Sequence, residues 1–171
     1  MARNIEIKAR IPSVEAVIPK VAALATEGPL EIAQDDTFFR CGTGRLKLRI
    51  LSDGTGELIF YRRANTLGPK ESFYLRSATS TPHTLRESLA LACGENGRVR
   101  KHRSVFLVGR TRVHLDRVEG LGDFLELEVV LTESEPSDVG AREAQDLMQK
   151  LGIEESQLIE AAYVDLLAMK R

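Results

Sequence analysis

Four short stretches of the chain alternate polar or charged residues with apolar ones. Asn4, Glu6 and Lys8 alternate with Ile5, Ile7 and Ala9, and Arg45, Lys47 and Arg49 with Leu46, Leu48 and Ile50. Arg112, His114 and Asp116 alternate with Val113 and Leu115, and Glu126 and Glu128 with Leu125, Leu127 and Val129. A period of two marks a β-strand with unlike faces, and here the polar faces carry both signs. Further strands are expected over 34–41 and 45–52, joined as a hairpin around Gly42-Thr43-Gly44. Others are expected over 57–63, after the Asp53–Gly56 turn, and over 71–79, 98–108, 111–118 and 123–132. Both Gly-x-Gly segments read as turns, because neither introduces a phosphate-binding helix.

The helical period appears elsewhere. Val14, Val17, Ile18, Val21 and Leu24 share one face of a segment over 13–26, with Ser13 as N-cap and Pro19 expected to kink or shorten it. Thr81-Pro82 opens a second helix, Thr81 as N-cap and Pro82 in its first turn, with a stripe of Leu85, Leu89 and Ala92 and a stop at Gly94. A third runs over 137–151, with Ala141, Ala144, Leu147, Met148 and Leu151 on one side, and the C-terminal stretch 156–169 reads as a fourth. Strands with helices inserted between them predict an antiparallel α+β fold, not a doubly wound sheet. The charged faces leave two arrangements open. They can lie on solvent as ordinary half-exposed strands, or turn inward if the sheet closes into a barrel with a polar lumen.

Composition narrows the setting. A chain of 171 residues suits one domain over 1–171. A net charge of −1 gives no overall pull toward nucleic acid, so any anion site must be a local concentration of Lys and Arg. Cys41 and Cys93 form neither a metal-ligand pattern nor a disulfide framework and are expected as reduced thiols. The sequence shows no apolar run of membrane-spanning length and no signal-peptide core near Met1, so a cytoplasmic protein without membrane partners is expected.

The motifs, taken in order, resemble a known family. Asn4-Ile5-Glu6-Ile7-Lys8 looks like a variant of the Glu-x-Glu-x-Lys signature of the CYTH domain superfamily, and Leu46-Lys47-Leu48-Arg49, Tyr61-Arg62-Arg63 and Lys101-His102-Arg103 follow. Then come Thr111-Arg112-Val113-His114-Leu115-Asp116, the run from Glu119-Gly120-Leu121-Gly122 to Glu126-Leu127-Glu128, and Tyr163-Val164-Asp165-Leu166-Leu167. That superfamily groups class IV adenylyl cyclases with thiamine triphosphatases and is similar to the triphosphate tunnel metalloenzymes. The resemblance implies a closed antiparallel eight-stranded β-barrel, helices packed on its outside, whose tunnel binds a triphosphate with Mg²⁺ or Mn²⁺.

Carried onto this chain, the resemblance gives Lys8, Lys47, Arg49, Arg63, Lys101, Arg103 and Arg112 as the triphosphate clamp. Guanidinium groups take phosphate oxygens in pairs and Lys adds point charges. Glu6, Asp116, Glu126 and Glu128 become the expected metal ligands, because hard divalent cations favour carboxylate oxygens. Lys8, Arg49, Lys101, Arg103 and Asp116 are the expected catalytic set. Arg63 is favoured over Arg62 because it shares a face with Tyr61. His114 shares the face of Arg112 and Asp116 and is expected to hold its neighbours by hydrogen bonds; His102 is expected to face away. Tyr163 and Asp165 fall on the last helix, which the resemblance places near a tunnel mouth. Asn4 stands where the signature has its first glutamate, which weakens one metal site. The expected reaction is hydrolysis of inorganic or organic triphosphate, with cyclisation of ATP to cyclic AMP and pyrophosphate as the alternative. Binding of a nucleotide or polyphosphate without turnover is the reading of another class. ATP, thiamine triphosphate and inorganic triphosphate are the expected ligands, and the protein is expected to be a monomer or homodimer. The sequence shows no aromatic clamp for an organic group, since Trp is absent and the three tyrosines are scattered.

Overall fold

A computed structural model describes residues 2–170; Met1 and Arg171, the ends of the expected domain, lie outside the described residues. Eight strands close into an antiparallel barrel: β1 (Ala2–Arg10), β2 (Glu27–Phe39), β3 (Arg45–Leu51), β4 (Gly56–Arg63), β5 (Lys70–Thr79), β6 (Glu95–Val108), β7 (Thr111–Val118) and β8 (Gly122–Leu131), in the order β1-β5-β4-β3-β2-β6-β7-β8. Four helices lie outside: α1 (Val14–Leu24), α2 (Pro82–Cys93), α3 (Ser137–Lys150) and α4 (Tyr163–Met169).

Period two decides which side of the wall each residue takes. The apolar rows point outward, where Ile7, Val113, Leu115, Leu125 and Leu127 bury against Val14, Val17 and Val21 of α1 and Leu147 of α3. Ile5, Val129 and Leu131 pack on Ala144. Gly140 lets α3 approach closely, since a Cβ there would stand 2.7 Å from both Ile5 Cγ1 and Leu131 Cδ2. With the outward faces so covered, the charged rows are left to the lumen.

Local signals behave unevenly. Ser13 is extended and its Oγ accepts from the Ala16 N–H at 3.1 Å, the expected cap, and α1 runs through Pro19 to end at Leu24. Thr81 makes no side-chain cap, although Pro82 opens α2 as expected and Gly94, at φ 82°, closes it. Two expectations are corrected. The strand placed at 34–41 is the second half of β2, which begins at Glu27. The helix placed at 156–169 begins only at Tyr163, after a 3₁₀ turn at Glu155–Gln157. The reason lies on β1: pairing with β5 ends at Glu6, and beyond it Lys8 O accepts from the Ile159 N–H at 3.0 Å while Ala9 bridges Leu158. Backbone committed to that strand edge cannot also form helical bonds.

Candidate active site

The barrel encloses a cavity of about 290 Å³. α4 covers one end of the lumen: Ala162, Tyr163 and Val164 pack on Phe38, Val99, Val118 and Phe124. All seven expected clamp residues line the cavity, as do Glu6, Glu126 and Glu128, and Arg76 joins them. Eight Lys and Arg side chains therefore face four carboxylates, the fourth being Asp36.

Asp36 is the hub that the sequence reading missed. It is 1% exposed and accepts from Arg49 Nε and Nη2 at 2.8 Å each, from Lys47 Nζ at 3.1 Å and from Lys101 Nζ at 3.2 Å. Burial alone would raise its pKa, yet Arg49, Lys101 and Lys47 hold it well below the usual carboxylate range. The hairpin register puts Asp36 opposite Arg49, so one extended pair of strands carries both acid and bases.

A second hub lies on β6–β7. Arg103 donates to both oxygens of Asp116, at 2.7 and 2.8 Å, and the Tyr163 hydroxyl adds a bond to Oδ2 at 2.8 Å. Asp116 is fully buried, and its two oxygens are taken up by Arg103 and Tyr163. Burial would raise its pKa, and the Arg103 guanidinium holds it down.

The remaining acids gather on β1 and β8. Glu6 stands opposite Glu128 and Lys8 opposite Glu126 in register. Glu6 accepts from Arg63, Glu128 from Arg112 Nε at 2.8 Å, and Glu126 lies 3.4 Å from Lys8 Nζ and 3.7 Å from Arg103 Nη2. Burial first, and then the charges of Glu126 and Glu128, raise the pKa of Glu6. Burial would raise Glu126 as well, but Lys8, His114 and Arg103 hold it well below its usual value. Carboxylates in mutual repulsion form a donor set that suits a divalent cation. Of the orphaned buried atoms on cavity-lining residues, Asn4 Oδ1 and His114 Nδ1 lie on the β1 and β7 rows beside these acids, while Gln34 Oε1 lies on β2. The residues present thus fit a cation of the Mg²⁺ or Mn²⁺ class, with Glu6, Glu126 and Glu128 as its carboxylates.

The lysines are strained electrostatically. Burial pushes Lys101 down to about 7, and Arg49, Arg103 and Lys47 add to it, while Asp36 offsets part. Burial and Arg49 likewise lower Lys47 to about 8. Lys8, lowered by burial, lies over the Tyr163 ring at 4.0 Å. Arg63 has Nε and Nη2 buried without partners. The three tyrosines, scattered in the sequence, all line the cavity, at Tyr61, Tyr74 and Tyr163. His102 faces outward beside Glu31, 3.3 Å away.

The site is thus the lumen of a closed antiparallel barrel, lined by cations and carboxylates together. The chain matches the CYTH domain over residues 2–163 and belongs to that family. Adenylate cyclase CyaB of Aeromonas hydrophila is 26% identical over 167 residues, covering 94% of this chain and 86% of that relative. The PH1012 protein of Pyrococcus horikoshii OT3 superposes with a TM-score of 0.84 at 25% identity, over 95% of this chain and 98% of that one. A putative adenylyl cyclase of Hippeastrum, described as having a dominant triphosphatase activity, shares the fold at a TM-score of 0.67 and 16% identity, over 100% of this chain and 97% of that one. Among the described residues, no helix is long and apolar enough to cross a membrane.

Proposed function

We propose that the tunnel binds a triphosphate together with a divalent cation and hydrolyses it. One observation carries this reading: Lys and Arg side chains outnumber carboxylates around the cavity, eight to four, and Arg63 keeps two N–H-bearing nitrogens without acceptors. A triphosphate brings about four negative charges near neutral pH and many acceptor oxygens, which answers both deficits. Lys47, Arg49 and Lys101 form one phosphate-holding wall around Asp36, and Lys8, Arg63, Arg103 and Arg112 form the other. Asp116 and Tyr163 orient Arg103 from behind.

Glu6, Glu126 and Glu128 would hold Mg²⁺ or Mn²⁺, which when bound neutralises charge on phosphate oxygens. The side chains supply placement. They align the chain of phosphates so that water attacks the terminal phosphorus, the bridging P–O bond breaks, and diphosphate leaves against the guanidinium groups. A cavity of about 290 Å³ is at the small end for organic ligands, which favours a substrate whose phosphates fill it.

A second reading, cyclisation of ATP, has its own support. Leu30, Ile32, Val105 and Tyr74 line the same cavity, and Leu30 is 62% exposed, so an apolar rim stands where an organic group could rest. The relation to CyaB points the same way. Phosphorus NMR of the protein with Mg²⁺ or Mn²⁺ and inorganic triphosphate, thiamine triphosphate or ATP separates the two. Orthophosphate release is expected; pyrophosphate with cyclic AMP would replace hydrolysis by cyclisation, and survival of every substrate would leave binding without turnover.

A further inference from the structure

His114 is a group that hydrolysis by clamp and carboxylates does not use. It is 5% exposed, lines the cavity, and its Nδ1 makes no hydrogen bond. Its register partner across β7–β8 is Glu126, and its ring comes near two carboxylates, with Nδ1 3.5 Å from Glu126 Oε1 and Nε2 3.9 Å from Glu128 Oε2. One ligating atom from each of the three residues lies within 4.8 Å of the others. Donors bound at about 2.1 Å to one ion stand roughly 3–4 Å from each other, so this spacing is that of a coordination shell slightly relaxed. A second orphan supports the same reading independently. Asn4 Oδ1, in a side chain 2% exposed, faces the cavity from β1, two residues before Glu6, which itself opposes Glu128.

An imidazole nitrogen and an amide oxygen, both buried without a hydrogen-bond partner, cost stability unless a ligand or ion takes them. A hydrogen bond to Glu126 alone is a poor account of His114, since 3.5 Å is too long for a strong charge-assisted contact. We infer that His114 is a direct ligand of the lumen cation, making a mixed nitrogen–oxygen site that holds Mn²⁺ in preference to Mg²⁺. The inference rests on the reading of the lumen as a cation site.

The chemistry follows from the donors. Mg²⁺ keeps to oxygen ligands in near-ideal octahedral geometry and dehydrates reluctantly, whereas Mn²⁺ shares the preference for carboxylate but, as a softer transition ion, also tolerates an imidazole nitrogen. Asn4 offers oxygen without charge, so the site carries fewer negative charges than an all-carboxylate one and depends more on the nitrogen.

The test uses the metal alone with the full chain. Free Mn²⁺ is counted by EPR during titration, Mg²⁺ is added in competition, and pulsed EPR searches bound Mn²⁺ for ¹⁴N coupling. Mn²⁺ binding tighter than Mg²⁺ is expected, with a directly coordinated ¹⁴N whose coupling is lost in His114→Ala. His114→Gln, which keeps a polar side chain of similar reach, guards against loss of folding and is expected to lose the coupling and most of the Mn²⁺ preference. Bound Mn²⁺ without ¹⁴N coupling, equal affinity for both ions, or no Mn²⁺ binding would overturn the inference. Triphosphate hydrolysis could survive the first two results, and ¹⁴N-coupled Mn²⁺ in a protein indifferent to triphosphate would sink the proposed function while leaving this inference intact.

Discussion

The Tyr163 hydroxyl donates to Asp116 Oδ2 at 2.8 Å, joining the first residue of α4 to a carboxylate 47 positions earlier. Asp116 in turn gives both its oxygens to Arg103, so the helix that covers one end of the lumen also fixes a cation inside it. Tyr163→Phe keeps the ring over Lys8 and removes only the donor. It should cost about 1–2 kcal/mol of stability and weaken triphosphate binding by loosening Arg103. Urea unfolding checks the first effect and calorimetric titration the second.

Asp36 makes a stronger case. Three cations, Lys47, Arg49 and Lys101, share this one buried acid. Asp36→Asn leaves them repelling one another and should destabilise the ligand-free protein by about 3–5 kcal/mol. Added triphosphate should recover much of the loss, because phosphate oxygens replace the missing charge. A thermal-melt series with and without inorganic triphosphate measures both.

The lowered lysines predict a direction with pH. Lys101 near 7 and Lys47 near 8 in the folded protein stand below the 10.5 of an ordinary lysine. The unfolded chain therefore holds more protons across that window, and their contribution to stability rises with pH from about 7 toward 10.5. Below that window both states are protonated and the penalty of burying charge is fully present. An anionic ligand restores the charged form, so triphosphate binding near pH 8.5 should take up protons. Calorimetry in buffers of different ionisation enthalpy reads the number directly, and no uptake would count against the clamp.

Asn4→Glu adds a carboxylate beside Glu6, whose pKa is already raised by burial and by Glu126 and Glu128. The variant should melt lower than the parent in chelator and gain more from Mn²⁺ or Mg²⁺. If a weakened cation site limits the reaction, turnover should rise as well; phosphate release assays decide.

Much of this was legible because polar and apolar residues keep strict alternation on β1, β3, β7 and β8, and one face of each had to be buried. The first half of β2 was not. There Leu30 and Ile32 line the cavity beside Gln34 and Asp36, so the usual polarity of the lumen inverts and the alternation no longer reports the strand. Asp36 was hidden by its neighbour: Asp35 and Asp36 point to opposite sides, Asp35 outward to Arg98 at 2.6 Å, and a pair of adjacent acids shows no parity. Pairing the hairpin about Gly42–Gly44 would have set Asp36 against Arg49 and exposed the hub. The three tyrosines converge only through barrel closure and the docking of α4, which no local pattern encodes.

The most direct test of the account is calorimetric titration of inorganic triphosphate, with divalent cation present, into the parent protein and into a Lys101→Ala, Arg103→Ala variant confirmed as folded by circular dichroism. Binding by the parent and its loss in the variant are predicted, since both side chains line the lumen. Equal affinity in the two proteins, or no binding by the parent, would contradict a triphosphate-holding tunnel.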